Sequence, residues 1–133
     1  MGIRTIMFRG KRADNGKWVV GLPYEVDDLI DCIRVKEKIQ DIIYYATYKI
    51  IPETVGQYTG LTDKTDKNGN KIFEGDIVQS IELGLIGVVI FDEYCRFMIR
   101  DITTNSTYLT ARNNEDIAVI GNIHDNPELL KGE

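Results

Sequence analysis

The fold of the chain is decided by the stretch Ile72-Phe73-Glu74-Gly75-Asp76-Ile77-Val78. Gly75 supplies the backbone dihedrals that a tight turn requires, and the carboxylate of Asp76 is placed to accept hydrogen bonds from nearby backbone amides. The β-branched residues that follow are typical of a strand. The stretch therefore predicts a turn that delivers the chain into a β-strand, an arrangement that commonly opens small barrels.

Short apolar segments continue beyond this turn at the spacing expected of a small sandwich or barrel. They predict strands over residues 77–82, 86–92, 96–102, 106–110 and 117–123. Near the end of the chain, Pro127-Glu128-Leu129-Leu130-Lys131 predicts one helical turn, because Asn126 is a good N-cap and proline suits the first helical position.

A hairpin is predicted on the N-terminal side. Residues 3–9 and 17–22 are rich in β-branched and aromatic side chains, and Asn15-Gly16 lies between them. Asn and Gly both tolerate positive φ, so this pair predicts a type I′ turn.

Residues 26–51 allow two interpretations. Residues 29–35 and 41–51 are dense in Ile and Tyr, which favours two strands joined by a polar link over 36–40. A short helix over 26–38 is the alternative, because Val26, Leu29, Ile30 and Ile33 also fit a helical stripe.

A polar loop without aliphatic residues spans 62–71 and is the best candidate boundary. We therefore expect an N-terminal β layer over 1–61 and a C-terminal, barrel-like β portion over 62–133, together forming one compact structural unit. The expected class is all-β with at most one or two short helices.

Composition narrows the functional classes. The chain has 133 residues, of which 43% are apolar and 28% charged, with a net charge of −5. That balance is typical of a globular domain, and the net charge argues against whole-surface attraction to nucleic acid. No apolar run is long enough to cross a bilayer, so we expect a cytoplasmic protein without a membrane partner. Cys32 and Cys95 are interpreted as reduced core residues, with a regulatory disulfide as the alternative.

No motif of catalysis or metal binding is complete. His124 and two distant cysteines are too few for zinc, Lys64 stands where a calcium loop needs its first Asp, and no phosphate-binding loop is present. We therefore predict no catalytic residue, no metal and no cofactor. The neighbouring carboxylates Glu74 and Asp76 leave hydrolysis as a remote option, with turn capping as the simpler role.

Three blocks of the sequence resemble the YopX family. They are Phe8-Arg9-Gly10-Lys11-Arg12 with Trp18 and Gly21, then Val55–Leu61 through Ile72–Val78, and finally Val119–Ile123 with Asn126–Leu130. None of these blocks falls within residues 25–50, and the loop over 63–69 looks lengthened by a repeated Asp-Lys unit. The residues that carry the motif are Gly56, Gln57, Tyr58, Thr59, Gly60, Glu74, Gly75, Asp76, Gly121, Asn122, Asn126 and Pro127.

The resemblance implies a compact all-β fold with a pseudobarrel, similar to a small SH3-like barrel, and an origin in a bacterial phage or prophage. The family is functionally uncharacterised, so the resemblance transfers no catalytic residue. We expect a noncatalytic phage accessory protein that interacts with another protein. That partner is an unknown protein or a second copy of the chain, which would form a homo-oligomer. The bacterial host cytoplasm is the expected location.

A nucleic-acid-binding module is the alternative function. The first 24 residues contain five cations and only one acid, Asp14. In this interpretation Arg9, Lys11, Arg12 and Lys17 of the N-terminal hairpin contact phosphates, and Phe8 and Trp18, near Tyr24 and Tyr58, stack on single-stranded bases. Burial of Phe8 and Trp18 in the core, with the cations in solvent, is the competing interpretation.

Overall fold

The computed structural model describes residues 6–26, 29–65, 69–80, 84–109 and 117–131. Its secondary structure is antiparallel β throughout, apart from two short 3-10 helices, Pro52–Thr54 and Pro127–Lys131. The predicted all-β class is therefore confirmed. The strands are β1 Phe8–Lys11, β2 Trp18–Val26, β3 Leu29–Ile39, β4 Ile42–Lys49, β5 Gly56–Thr62, β6 Lys71–Phe73, β7 Asp76–Ser80, β8 Ile86–Phe91, β9 Phe97–Asp101, β10 Thr107–Leu109 and β11 Ile117–Asn122.

The chain divides into two compact units, Met1–Tyr58 and Thr59–Glu133. Strand β5 crosses this division. In the first unit the strand order is β4-β3-β2-β1-β5, and each neighbouring pair is antiparallel. The second unit contains β6 beside the later part of β5, and a sheet of order β10-β9-β8-β7-β11. Within the described ranges neither sheet closes into a barrel, so the expected SH3-like pseudobarrel is not confirmed.

The first hairpin forms where it was predicted, but its turn differs. β1 and β2 pair from Phe8 opposite Gly21 to Lys11 opposite Trp18. Gly16 has a φ of 71°, and its N–H donates to the carbonyl of Arg12 at 3.0 Å. Asn15 is not among the positive-φ residues, and its side chain instead accepts from the Lys17 amide at 2.9 Å. The type I′ prediction is therefore wrong at Asn15-Gly16. Residues 3–5 of the predicted first strand lie outside the described residues, and residues 6 and 7 are not in a strand, because β1 begins at Phe8 and continues to Lys11.

The second hairpin adopts the two-residue turn with positive φ at both positions. Ile39 opposes Ile42, and the two residues between them, Gln40 and Asp41, have φ values of 48° and 68°. β3 continues to Ile39, so the helix alternative over 26–38 is wrong outside the undescribed residues 27–28, and most of the predicted polar link is strand. Pairing of β3 with β4 over eight residues, from Cys32 to Ile39, therefore outweighs the weak turn propensity of Gln-Asp.

The core of the second unit consists of aliphatic side chains on successive strands. Ile72, Val78, Val89, Ile99 and Ile117 are fully buried, and Leu61 and Val119 pack against them. Each such side chain contributes about 1.5–3 kcal/mol when it leaves water. The predicted strands from 77 to 123 are confirmed at their described residues, with slightly shorter bounds; residues 81–83 and 110–116 lie outside the described part.

The turn before β7 has the predicted construction. Gly75 has a φ of 92°, its N–H donates to Val89 O at 2.8 Å, and its carbonyl accepts from the Ile123 amide at 3.0 Å. The buried carboxylate of Asp76 accepts from the Phe73 amide at 2.8 Å. Glycine is required here because a side chain at this φ is strained.

Asp63 holds the start of the polar loop. One carboxylate oxygen accepts from the amide and hydroxyl of Thr65, and the other accepts from the Val119 amide at 2.9 Å. Asp63 is 4% exposed, and these bonds replace the water that its charge loses. The loop is thereby tied to β11, although residues 66–68 are outside the described part.

The two cysteines differ in environment. Cys32 is half-buried, whereas Cys95 is exposed in the turn between β8 and β9 with a φ of 61°. The core interpretation is therefore wrong for Cys95. Neither cysteine is in a disulfide bond. Among the described residues, no helix has the length and apolar character needed to cross a membrane.

We expect Gly21→Ala to destabilise the first unit. A Cβ at Gly21 would overlap the carbonyl oxygen of Arg34 and approach Cγ2 of Ile33 to 3.2 Å, so the backbone of β2 or β3 must shift. Forcing an extra methyl into a packed position costs about 1–3 kcal/mol or more. Urea unfolding would measure the loss.

The matched control is Val20→Ala, because Val20 is the adjacent residue and is 40% exposed. We expect a change of about 0.5 kcal/mol or less there. An unchanged unfolding midpoint for Gly21→Ala would contradict the close approach of β2 and β3.

Candidate nucleic-acid interface

The strand register of the first unit assigns each side chain to one of two faces, because opposed residues in an antiparallel pair project to the same side. Lys11 opposes Trp18, Leu22 opposes Arg34, and Lys36 opposes Tyr45. We call the resulting surface the cationic face. It consists of Arg9, Lys11, Trp18, Val20, Leu22, Tyr24, Cys32, Arg34, Lys36, Lys38, Ile43, Tyr45, Thr47 and Lys49.

Charge of one sign distinguishes this face. Six of its fourteen residues are Lys or Arg, although the whole chain has a net charge of −5. Acidic residues lie at the Cys32 end of the face, where the register shifts: Glu25 opposes Ile30, and burial and the neighbouring Asp31 carboxylate raise the pKa of the Cys32 thiol. Arg34, Lys36 and Lys38 alternate along β3, and all three are exposed. The Lys38 ammonium lies 3.5 Å from the carboxylate of Asp41 in the adjoining turn, an exposed pair that contributes little. The face therefore has a positive potential on an acidic protein.

Aromatic rings lie among these cations. The guanidinium of Arg34 is 4.5 Å from the ring centroid of Tyr45, and that of Arg9 is 4.7 Å from the centroid of Trp18. The Lys11 ammonium is 5.6 Å from the same Trp18 ring. Tyr45 and Tyr24 are 55% and 59% exposed. Cation–π contact orients the charged groups and leaves flat aromatic surface at the protein boundary.

An open groove crosses the cationic face. Its volume is about 550 Å³, which lies within the range of about 300–1,000 Å³ that ligand pockets occupy. Val20 and Leu22 form apolar surface within it, while Arg34, Lys36 and Tyr45 supply charge and a ring. The lining combines the apolar and polar groups that a flat, charged ligand needs.

The opposite face contains a carboxylate–tyrosine cluster. Glu37 accepts hydrogen bonds from the hydroxyl of Tyr44 at 2.5 Å and from that of Tyr48. These bonds lower the pKa of Glu37 and raise the pKa values of both tyrosines. The guanidinium of Arg12 stacks 4.4 Å from the Tyr48 centroid and donates two hydrogen bonds to Asp14, at 3.0 and 2.6 Å. The hydrogen bonds from Arg12 lower the pKa of Asp14.

The four cations proposed from the sequence do not lie together. Arg9 and Lys11 are on the cationic face. Arg12 opposes Ile50 and is engaged with Asp14 and Tyr48 on the other side. Lys17 is exposed at the end of the hairpin, just before β2.

Most of the cationic face was missed in the sequence. The omitted residues are Arg34, Lys36, Lys38, Tyr45 and Lys49. Cations at every second position from 34 to 38 were the available indication, because that period places them on one side of a strand. Treating residues 36–40 as a polar link concealed it.

The family-motif residues are placed at turns and strand contacts. The Thr59 hydroxyl donates to the carbonyl of Ile72 at 2.8 Å, and Gly60 has a φ of 90°. The Asn126 side chain accepts from the Asn122 amide at 3.2 Å, where a Cβ at Gly121 would collide with it. Gly56 opposes Arg9, and Gln57 opposes Phe8. Tyr58 donates its amide to Met7 O at 2.9 Å, and Pro127 begins the last 3-10 helix.

The residues considered for acid–base chemistry, Glu74 and Asp76, do not line the same cleft. Glu74 lines a cleft of about 470 Å³ in the second unit, whereas Asp76 is not among the lining residues. The half-buried His124 donates its amide to the Asn122 side chain at 3.0 Å. In the ranges that the structure describes, no three His, Cys, Asp or Glu side chains are grouped to hold a metal ion.

Comparison with known proteins identifies one family. The family model described as YopX protein matches residues 7–131, nearly the whole chain. No curated protein matches the chain.

We expect Tyr44→Phe to raise the pKa of Glu37 toward its ordinary value, because one of the two hydrogen bonds to the carboxylate is lost. A lowered folded-state pKa stabilises the protein above the unfolded pKa, and this contribution is lost as the pH falls through the folded pKa. The variant should therefore lose less stability on acidification than the parent protein. Carbon-detected NMR titration of the Glu carboxyls measures the shift.

Tyr45→Phe is the matched control, since Tyr45 lies next in the chain but projects to the cationic face. Its Glu37 titration should equal that of the parent. A Glu37 pKa unchanged by Tyr44→Phe would contradict the hydrogen-bonded cluster.

Proposed function

The chain belongs to the YopX family over residues 7–131, and from this premise we propose that its cationic face binds nucleic acid. The observation that carries the proposal is the presence of six cations among the fourteen strand positions of that face, with the neighbouring acidic residues confined to its Cys32 end. In this proposal the protein is a noncatalytic accessory factor of a phage or prophage, acting in the cytoplasm of the bacterial host.

The arrangement of the cations favours a polyanion over a small anion. Alternate residues of a strand are about 6.6 Å apart, so Arg34 and Lys36 form a row along β3. Lys49 lies across the sheet, opposite Cys32. A chain of phosphates can meet several of these charges together, and each contact releases condensed counterions. The overall negative charge of the protein repels nucleic acid from the rest of the surface, so binding is restricted to this face.

We expect the combined Arg34→Gln, Lys36→Gln and Lys49→Gln variant to bind nucleic acid more weakly and with less salt dependence. If the three cations each contact a phosphate, the slope of log affinity against log salt falls by about 2 for a single strand. Fluorescence anisotropy with a labelled oligothymidylate and a labelled duplex, between about 50 and 200 mM salt, measures both quantities.

The control carries the same charge change on the second unit, through Lys64→Gln, Lys71→Gln and Lys131→Gln. These residues are exposed and belong to other parts of the chain. The control should keep the parent salt slope. The proposal fails if the parent protein binds neither probe at the lowest salt, or if both triple variants weaken binding equally.

Self-association is a second candidate function, and the tip of the β3–β4 hairpin favours it. Ile39, Ile42 and Ile43 are 57%, 68% and 54% exposed. β4 is also the end strand of its sheet. An apolar tip on an end strand is a typical contact for another β-strand, and a second copy of the chain supplies one.

Ile42→Gln should shift the protein toward the monomer if the hairpin tip holds two copies together, because the substitution removes apolar contact area. Sedimentation velocity over a range of concentrations measures the mass. Leu85→Gln is the control, at a residue of the second unit that is 42% exposed. A parent protein that is monomeric at every concentration excludes this candidate.

A further inference from the structure

The cationic face contains apolar surface that phosphate binding does not explain. Val20 and Leu22 are 40% and 56% exposed, and they lie between cations in the groove of about 550 Å³. Phosphates gain nothing from such surface, which remains in contact with water when only charges are paired. A ligand with a flat apolar face would cover it.

The ring of Tyr45 supplies the matching surface. It is 55% exposed, and the Arg34 guanidinium lies 4.5 Å from its centroid. Nucleobases stack on tyrosine rings and on guanidinium planes. The groove therefore presents an aromatic ring, an apolar floor and a neighbouring cation, which together suit a base and its adjoining phosphate.

The width of the sheet argues against a duplex. Strands β1 to β4 span three interstrand spacings, about 14 Å before side chains are added. The major groove of duplex DNA is about 12 Å wide and admits a helix or a two-stranded ribbon. The flat faces of duplex bases are also covered by their neighbours in the stack. A duplex would contact the cations and leave the groove empty.

We infer that the ligand of the cationic face is a single-stranded nucleic acid, with an unstacked base in the groove against Tyr45. This inference rests on the proposed function, because the cations must hold the phosphates for the base to be presented. Tyr24 and Trp18 extend the aromatic surface along β2 for further bases.

The test compares three labelled probes that differ in their bases. They are an oligothymidylate of about 15 nucleotides, within the range that one small domain covers, an abasic strand of the same length and charge, and a duplex of that length. Anisotropy titration with the full chain should show the oligothymidylate binding at least about tenfold more tightly than the abasic strand, because base stacking is lost. The duplex should also bind more weakly. Trp18, the single tryptophan, should be quenched by the oligothymidylate.

Substitutions of Tyr45 separate stacking from folding. Tyr45→Ala should weaken oligothymidylate binding by about 5- to 150-fold, the loss of one stacked base. Tyr45→Phe keeps the ring and should bind within about twofold of the parent. The salt slope should be the same in both, since neither change removes a phosphate contact. Tyr94→Ala is the control, because Tyr94 is 70% exposed beneath the Arg96 guanidinium in the second unit.

The outcomes distinguish the inference from the function on which it rests. Equal affinity for the oligothymidylate and the abasic strand, or tighter binding of the duplex, overturns the single-strand inference and leaves nucleic-acid binding intact. Absence of binding to all three probes overturns both. Tighter binding to phosphatidylserine vesicles than to any probe also overturns both, because it identifies an anionic membrane surface as the ligand.

Discussion

The register between β3 and β4 is the constraint on which the first unit depends. It runs without interruption from Cys32 opposite Lys49 to Ile39 opposite Ile42. Because strand side chains alternate, this register places the fully buried Ile33 on one side and Arg34 on the other. A slip of one residue would exchange the two faces, burying cations and exposing the core. Burial of Ile33 therefore also fixes the orientation of the cationic face.

Buried carboxylates perform the corresponding structural task in the second unit. Asp63, Asp76 and Asp101 are each no more than 5% exposed, and each accepts hydrogen bonds from backbone amides. Asp101, for example, accepts from Thr103 at 2.7 Å and from Thr104 at 3.1 Å. A carboxylate that accepts hydrogen bonds from backbone amides stabilises one conformation of a turn, which glycine or proline alone would not fix. Turn formation thus accounts for Asp76, one of the two carboxylates considered for hydrolysis in the sequence.

Local chemistry accounts for what could be predicted. Runs of β-branched residues located the strands, and the Gly75-Asp76 turn formed as expected, because both depend on neighbours in the chain. The alternation of strand side chains could have corrected the proposed group of four cations. Lys11 and Arg12 are consecutive, so they project to opposite faces and cannot contact the same ligand surface. The contact between Arg34 and Tyr45 depends on the register between two strands. The open form of the sheets depends on pairing between strands that are far apart in the sequence. Neither follows from composition or from short motifs.

The turn at Gln40 and Asp41 has a consequence for motion. Both residues have positive φ, a conformation that costs non-glycine residues about 1–2 kcal/mol each. The strain lies at the tip of a hairpin whose outer strand ends the sheet. Opening free energy is lowest where strain and solvent exposure coincide, so amide hydrogens near this tip should exchange before those around Ile33. One end of the cationic face is thus adaptable, while the other is held by the core.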